Sequence, residues 1–203
     1  MSSRQADDAA SWWNAQSGRR MVTLSFNAIH TPLQPAPDQL ARRPIARTYD
    51  CDAVPAQRAL IDSIFEAMDS EIGQFLQQIG VATLQPDGRT IDRLDLQGKA
   101  IVIVGDNGSF GPTVRTDAGF DASRSKGYVY QTGVWVPLIV AGDFVAQPGR
   151  SVDELVNTVD LFNLFGALAG VDVDKAVPST TIVDAKPLLP YLTRPKQPAI
   201  RRT

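Results

Sequence analysis

The stretch Ala100-Ile-Val-Ile-Val-Gly-Asp-Asn-Gly108 decides how this chain is read. Its uninterrupted β-branched run, Ile101 to Val104, predicts a strand buried on both faces of a parallel sheet. The run stops at a carboxylate, a carboxamide and a glycine. Ligand and metal chemistry in open α/β sheets collects just past the carboxyl ends of the strands. Asp106 and Asn107 fall at that place. Both side chains offer hard oxygen donors of the kind calcium and magnesium take. The same residues also make an Asp-Asn-Gly turn, because they tolerate positive φ. The segment alone leaves both readings open.

Working outward, Met21-Val-Thr-Leu-Ser-Phe26 alternates and predicts a strand. It runs into Asn27-Ala-Ile-His30 and then a loop in which Pro32, Pro35 and Pro37 exclude a regular helix. Residues 41–55 are polar, with Pro44 and Pro55, and read as a further loop. The clearest helix spans about Ala56 to Gly80, where Ile61, Ile64, Phe65, Met68, Ile72, Phe75, Leu76 and Ile79 follow helical spacing. Gly80 is placed to cap it. Pro86-Asp-Gly88 marks a turn. Residues 108–126 read as a long loop, which in a compact domain is usually functional or disordered. Trp135 to Val140 is a second apolar strand, with Pro137 marking an edge or a start. Ser151-Val-Asp-Glu154 fits a capping box for a helix through Leu155, Val159, Phe162 and Leu168, ended by Gly170. Residues 171–203, rich in proline, read as a peripheral tail. The order strand, helix, strand, strand, helix predicts an α/β fold with a mostly parallel sheet flanked by helices.

Composition narrows the function classes. The 203 residues are 43% hydrophobic and 21% charged, near the globular average. A net charge of −2 without a long basic run argues against nucleic acid as a partner. Cys51 is the single cysteine, which excludes an internal disulfide and a cysteine-built metal cluster. No run approaches ~18 apolar residues, so no membrane span is expected. Residues 1–20 are a polar leader whose only bulky apolar pair is Trp12-Trp13; they lack the apolar core of a signal peptide. The chain is therefore expected to be cytosolic as it stands, or periplasmic or secreted if a longer precursor exists.

Three polar groups follow apolar segments: His30, the Asp106-Asn107 pair and Lys126. His30, the single histidine, reads as a turn residue or as an acid–base group at a loop tip. Lys126, in Arg124-Ser-Lys-Gly127, reads as a solvated surface lysine or as a cation for an anionic substrate oxygen.

These segments, in order, resemble the sulfatase family of the alkaline phosphatase superfamily. Ala28-Ile-His-Thr-Pro-Leu33 is similar to its histidine–x–proline loop, and Phe65-Glu-Ala-Met-Asp-Ser-Glu-Ile-Gly73 to its next helix. Val102-Ile-Val-Gly-Asp-Asn-Gly108 resembles its metal-binding strand end, and Lys126-Gly-Tyr-Val-Tyr-Gln-Thr-Gly-Val-Trp-Val-Pro137 the segment after it. Val159-Asp-Leu-Phe162 with Leu168-Ala-Gly170, and Lys186-Pro-Leu-Leu-Pro-Tyr-Leu192, resemble its later helix and closing segment. The resemblance covers residues 21–192, which would form a partial sulfatase-like domain between the leader 1–20 and a tail 193–203. It implies an alkaline-phosphatase-like sandwich, here incomplete, and metal-assisted hydrolysis of a small sulfate ester. It makes Asp106 and Asn107 two ligands of calcium (or magnesium), with His30 and Lys126 as catalytic contacts to the sulfate and the ester oxygen. An ion there would polarise sulfate oxygens, lysine would offset equatorial charge, and histidine would protonate the leaving oxygen.

The chain departs from the pattern in ways that matter. The family's nucleophile is a formylglycine made in a Cys/Ser-x-Pro-x-Arg motif, and no such motif occurs among the 203 residues. Cys51, in Cys-Asp-Ala-Val-Pro55, has its proline out of register. The family's amino-terminal aspartate pair has no counterpart, since no β-type run precedes Asp7-Asp8. Gln131-Thr132-Gly133 stands for the usual Glu-Gly-Gly, and Trp135 for the usual arginine or asparagine. Two other readings follow: a non-catalytic fragment or pseudoenzyme that binds, and a phosphatase or phosphodiesterase of the same superfamily. The latter would want more histidines than His30. Dinucleotide binding through Gly105, Gly108 and Gly111 fails on spacing and on Pro112 where a helix should begin. A match to the carboxyl-terminal half of a catalytic domain would make the chain a fragment of a longer gene product, a split gene whose second polypeptide supplies the other half, or a decayed copy, and it implies exposed apolar strand edges. The isolated chain is accordingly expected to be poorly soluble or to associate with another polypeptide. A monodisperse, calcium-independent monomer in light scattering would contradict that.

Overall fold

The structure, a computed structural model, describes residues 2–42, 50 and 52–201. Cys51 and Pro44 lie outside the described residues, as do Arg202 and Thr203. The chain is α/β, as the alternation of its elements predicts. It divides into two compact units: Met1–Asp95 with Gly105–Val136, and Leu96–Val104 with Pro137–Thr203.

The first unit is organised by helix α2, Val54–Gln78, which starts at a proline in its first turn and is followed by Gly80 at φ 71°. Its buried stripe runs through Leu60, Ile64, Ala67, Glu71 and Phe75, with Ile61 and Leu76 alongside. Phe65, counted on the apolar face by spacing, is instead 49% exposed. It sits one residue, about 100°, past Ile64 and so rotates off the stripe. Helix α1, Ser2–Ala15, was not legible in the polar leader. It buries only Ala6 and Ala10 and is tied to α2 by polar contacts. Ser3 Oγ donates to the buried Glu71 carboxylate, Gln78 Nε2 donates to Asp7 Oδ1 at 2.9 Å, and Asn14 Nδ2 donates to Gln78 O at 3.1 Å.

Strands β1, Ala82–Leu84, and β2, Ile91–Leu94, form an antiparallel hairpin over the expected turn. Asp87 holds that turn: its carboxylate accepts from the Thr90 hydroxyl at 2.6 Å and from the Thr90 and Arg89 amides. These bonds, the hydroxyl's first, lower its pKa to about 2. The strand expected over residues 21–26 does not form a ladder with any described residue. The period-2 pattern survives as alternating exposure, with Val22, Leu24 and Phe26 half-buried between exposed neighbours. Alternation encodes two faces, not a pairing partner.

In the second unit β3, Ala100–Val104, pairs antiparallel with β4, Leu138–Gly142, from Ala100↔Gly142 to Val104↔Leu138. The expectation of a mostly parallel sheet is therefore corrected: both ladders among the described residues are antiparallel. Residues 105–137 return the chain to the same end of the ladder it left, which forces the opposite direction. The strand β3 is also not buried on both faces. Val102, Val140 and Leu138 pack on a core of Leu164, Leu188, Tyr191 and Leu192, while Ile103 is 39% and its cross-strand partner Ile139 57% exposed.

Helix α4, Asp160–Ala169, ends at Gly170 with φ 76°, as expected. The capping box at Ser151 does not start it; 151–159 is irregular, and the start is set by side chains nearer the helix. Asn157 Oδ1 accepts from the Val159 amide, and the Asp160 carboxylate accepts from the amides of Asn157 at 2.9 Å and Lys186 at 2.7 Å and from the Arg201 guanidinium. Helices α5, Val173–Ala176, and α6, Leu189–Thr193, follow. The peripheral tail expected over 171–203 is corrected as well: Leu188, Tyr191 and Leu192 are core, and the Tyr191 hydroxyl accepts from the Ile200 amide.

Asp160 is 2% exposed. Burial pushes its carboxyl up, and the Arg201, Lys186 and Asn157 hydrogen bonds outweigh burial and hold it below the ordinary value. A carboxylate whose folded-state pKa is depressed contributes stability that is complete above the unfolded value, ~3.9, and lost as pH falls through the folded one. Asp160→Ala is expected to cost about 3 kcal/mol at neutral pH, because buried partners lose their acceptor. Asp160→Asn should remove part of the acid-range pH dependence of urea unfolding. An unchanged midpoint in either variant would contradict the assignment.

Candidate functional site

The candidate residues Asp106, Asn107 and Lys126 lie on the long segment of the first unit, and their positions follow from backbone contacts. After Val104 the chain turns at Asp106, whose Oδ1 accepts from the Asn107 amide at 2.8 Å. Asn107 Nδ2 donates to Gly108 O at 2.9 Å. Both side chains are exposed. Gly108 is buried, and its N–H donates to Gly133 O at 2.8 Å. Ser109 N donates to Thr132 O at 3.1 Å, and Ser109 O accepts from the Lys126 amide at 2.8 Å. Three consecutive stretches are thereby stitched together: the Asp106–Ser109 loop, the Lys126 turn, and the short helix α3, Gln131–Val134.

Two glycines are required for this approach. A Cβ on Gly108 would lie 2.1 Å from Thr132 O, and one on Gly133 would lie 2.0 Å from Tyr128 O. No side chain fits at either position. Between them, residues 110–125 fold as three short 3₁₀ turns, Gly111–Thr113, Thr116–Ala118 and Ala122–Arg124, not as longer elements. Ser125 is buried and donates its hydroxyl to Ala122 O at 2.8 Å, which fixes the residue before Lys126. The Lys126 side chain is exposed. Beside it, the Arg124 guanidinium lies 4.5 Å over the Tyr130 ring.

His30 closes a separate turn. Its amide donates to Asn27 O at 3.2 Å, and its Nδ1 faces Thr31 O at 2.7 Å. A carbonyl can only accept, so Nδ1 carries the proton and Nε2 holds the lone pair of the neutral ring. Both of these bonds are local to residues 27–31. The structure thus joins Asp106, Asn107 and Lys126 through shared backbone, and places His30 on its own exposed turn.

The donor set can be tested against the expected calcium. Asp106 and Asn107 are hard oxygen donors, the right type. Calcium takes about six to eight such ligands, and the described residues contain no group of three or more His, Cys, Asp or Glu side chains that could hold a metal ion. The type fits and the number does not, so the pair cannot by itself hold the ion. Spacing in the sequence pointed to Asp106, Asn107 and Lys126. It carried no signal for the buried Ser125 or for the steric role of Gly108, which depend on contacts across the fold.

No protein-family model matches this chain. It is similar to the steryl-sulfatase of Rattus norvegicus, at 27% identity over 179 residues, which cover 85% of this chain and 26% of that protein. It also aligns, at 19% identity and a TM-score of 0.48, with a crystal structure from Bacteroides thetaiotaomicron described as a sulfatase candidate, over 92% of this chain and 39% of that one. The chain thus spans about a quarter of the rat protein's length. Along most of its own length, this chain resembles a sulfatase, the family to which its ordered motifs pointed.

Proposed function

We propose that this chain carries part of the active site of a sulfuric ester hydrolase. The observation that supports it most is the backbone stitching that ties the Asp106-Asn107 turn and Lys126 into one hydrogen-bonded loop system. A hydrolase of sulfate esters must hold an anion with two or more negatively charged oxygens in the course of reaction. Lys126 is the cation for those oxygens, and its buried neighbour Ser125 keeps its backbone from drifting. His30, with its proton on Nδ1 and a lone pair on Nε2, has a nitrogen that can take up a proton and pass it to a leaving alkoxide. Asp106 and Asn107 are the oxygen donors proposed for a calcium or magnesium ion, which would need further ligands beside them. The similarity to a steryl-sulfatase suggests the sulfate ester of an apolar alcohol as substrate.

A specific observation favours a second reading. The sequence contains no formylglycine motif, so a fold that keeps the anion-binding loop without its own nucleophile would act as a binding module.

The test is hydrolysis of an aryl sulfate and of a steroid sulfate by the folded chain with calcium, beside an aryl phosphate. Sulfate turnover that exceeds phosphate turnover would support the hydrolase reading. Asp106→Ala and Lys126→Ala should each lower kcat by about 10²-fold or more. Gly133→Ala should lower it comparably with the helical circular dichroism of α2 preserved, since a Cβ there would meet Tyr128 O at 2.0 Å. A folded chain that binds sulfate esters without turning them over would establish the binding-module reading instead. Preferred turnover of the phosphate would move the chain to the phosphatases.

A further inference from the structure

Arg58 stands in the second turn of α2, away from the residues assigned a role so far. Its Nε donates to Pro112 O at 3.0 Å, and one of its terminal nitrogens donates to Val114 O at 3.0 Å. These carbonyls bracket Thr113, the last residue of the 3₁₀ turn that begins at Gly111. A guanidinium presents its donors in a fixed plane and can grip two carbonyls at once; the single ammonium of lysine cannot reproduce that geometry.

The gripped turn is stiff. Thr113 donates both its amide, at 2.9 Å, and its hydroxyl, at 2.7 Å, to Phe110 O. Val114 is 2% exposed. Immediately before Phe110 comes Ser109, whose carbonyl holds the Lys126 amide and whose amide is held by Thr132. The turn also lies close to the same place: a Cβ built on Gly111 would come 3.3 Å from the hydroxyl oxygen of Ser125, the residue before Lys126. The path from α2 to the candidate site is therefore short: hydrogen bonds from Arg58 to the turn, the few residues of chain from the turn to Ser109, and the Ser109–Lys126 hydrogen bond.

We infer that Arg58 is a positioning residue for this site. It pins the 110–114 turn to α2, and through Ser109 and Ser125 it sets where the Asp106-Asn107 turn and Lys126 stand. Its consequence for turnover rests on the sulfate-ester reading; its hold on the loop does not. The residue touches no substrate group and acts only through the loop.

Amide hydrogen exchange on the full chain tests this, comparing wild type with Arg58→Met and Arg58→Lys. In Arg58→Met the hydrogen-bonded amides of Gly108, Ser109 and Lys126 are expected to exchange about tenfold faster, while the α2 amides of Ala67 and Phe75 keep their protection. Arg58→Lys should recover part of the difference. Unchanged exchange at Gly108, Ser109 and Lys126 overturns the inference. Equal acceleration throughout α2 overturns it too, because Arg58 would then serve general stability. Aryl sulfate kinetics run in parallel: a fall in kcat at constant KM in Arg58→Met supports positioning, and an unchanged kcat refutes it. A wild-type chain without turnover removes the sulfate-ester reading alone, since exchange still decides whether Arg58 holds the loop.

Discussion

Gly108 and Gly133 meet backbone to backbone, with an N–H···O bond of 2.8 Å and no room for a methyl group on either residue. The candidate site hangs from this approach. Once Gly108 is held, Ser109 falls within reach of Thr132 on one side and Lys126 on the other. A loop of this length would ordinarily sample many conformations, at a backbone cost of about 1–2 kcal/mol for each residue ordered. Here the ordering is carried by successive short-range devices: 3₁₀ turns, the Ser125 hydroxyl on Ala122 O, the Arg115–Asp117 pair that lowers the Asp117 carboxyl to about 2, and the Arg58 fork. None is strong alone, and the exposed pair adds little. Together they tie the loop together along its length.

The second unit solves a different problem with a buried charge. Asp160 opens α4 and collects two backbone amides and a guanidinium from three separate stretches of chain. A buried carboxylate is costly unless its acceptor sites are filled. Filling them obliges the 184–186 segment and the end of the described chain to return to the helix start. The apolar cluster around Leu164 then closes over the arrangement, with Tyr191 contributing both ring and hydroxyl. The polar contact specifies the return, and apolar burial supplies most of the driving force.

Each unit also leaves apolar surface uncovered. Ile103 and Ile139 face away from the Leu164 core, and Tyr128, Val129 and Trp135 stand exposed in the segment that follows Lys126. The strand sequence Ile101–Val104 is as apolar as a strand enclosed on two sides, yet only one side is covered in this chain. Sequence and burial disagree there.

The sequence by itself determined the α/β class, the helix α2 with Gly80 after it, the end of α4 at Gly170, the Asp87 turn and the three polar positions worth testing. Those are local properties: periodicity, glycine at positive φ, and polar residues after apolar runs act over a few residues and are written in order along the chain. Tertiary structure decided what pairs with what. It turned an expected parallel strand antiparallel, because residues 105–137 bring the chain back to the end it left. It left 21–26 without a ladder among the described residues, made a helix of a leader that buries Ala6 and Ala10 and bonds to α2 through polar groups, and drew the proline-rich terminus into a core. It also decided that Ser109, two residues after Asn107, bonds the Lys126 amide, while the His30 hydrogen bonds stay within residues 27–31. Such choices depend on contacts between residues far apart in sequence, whose energies no local pattern records.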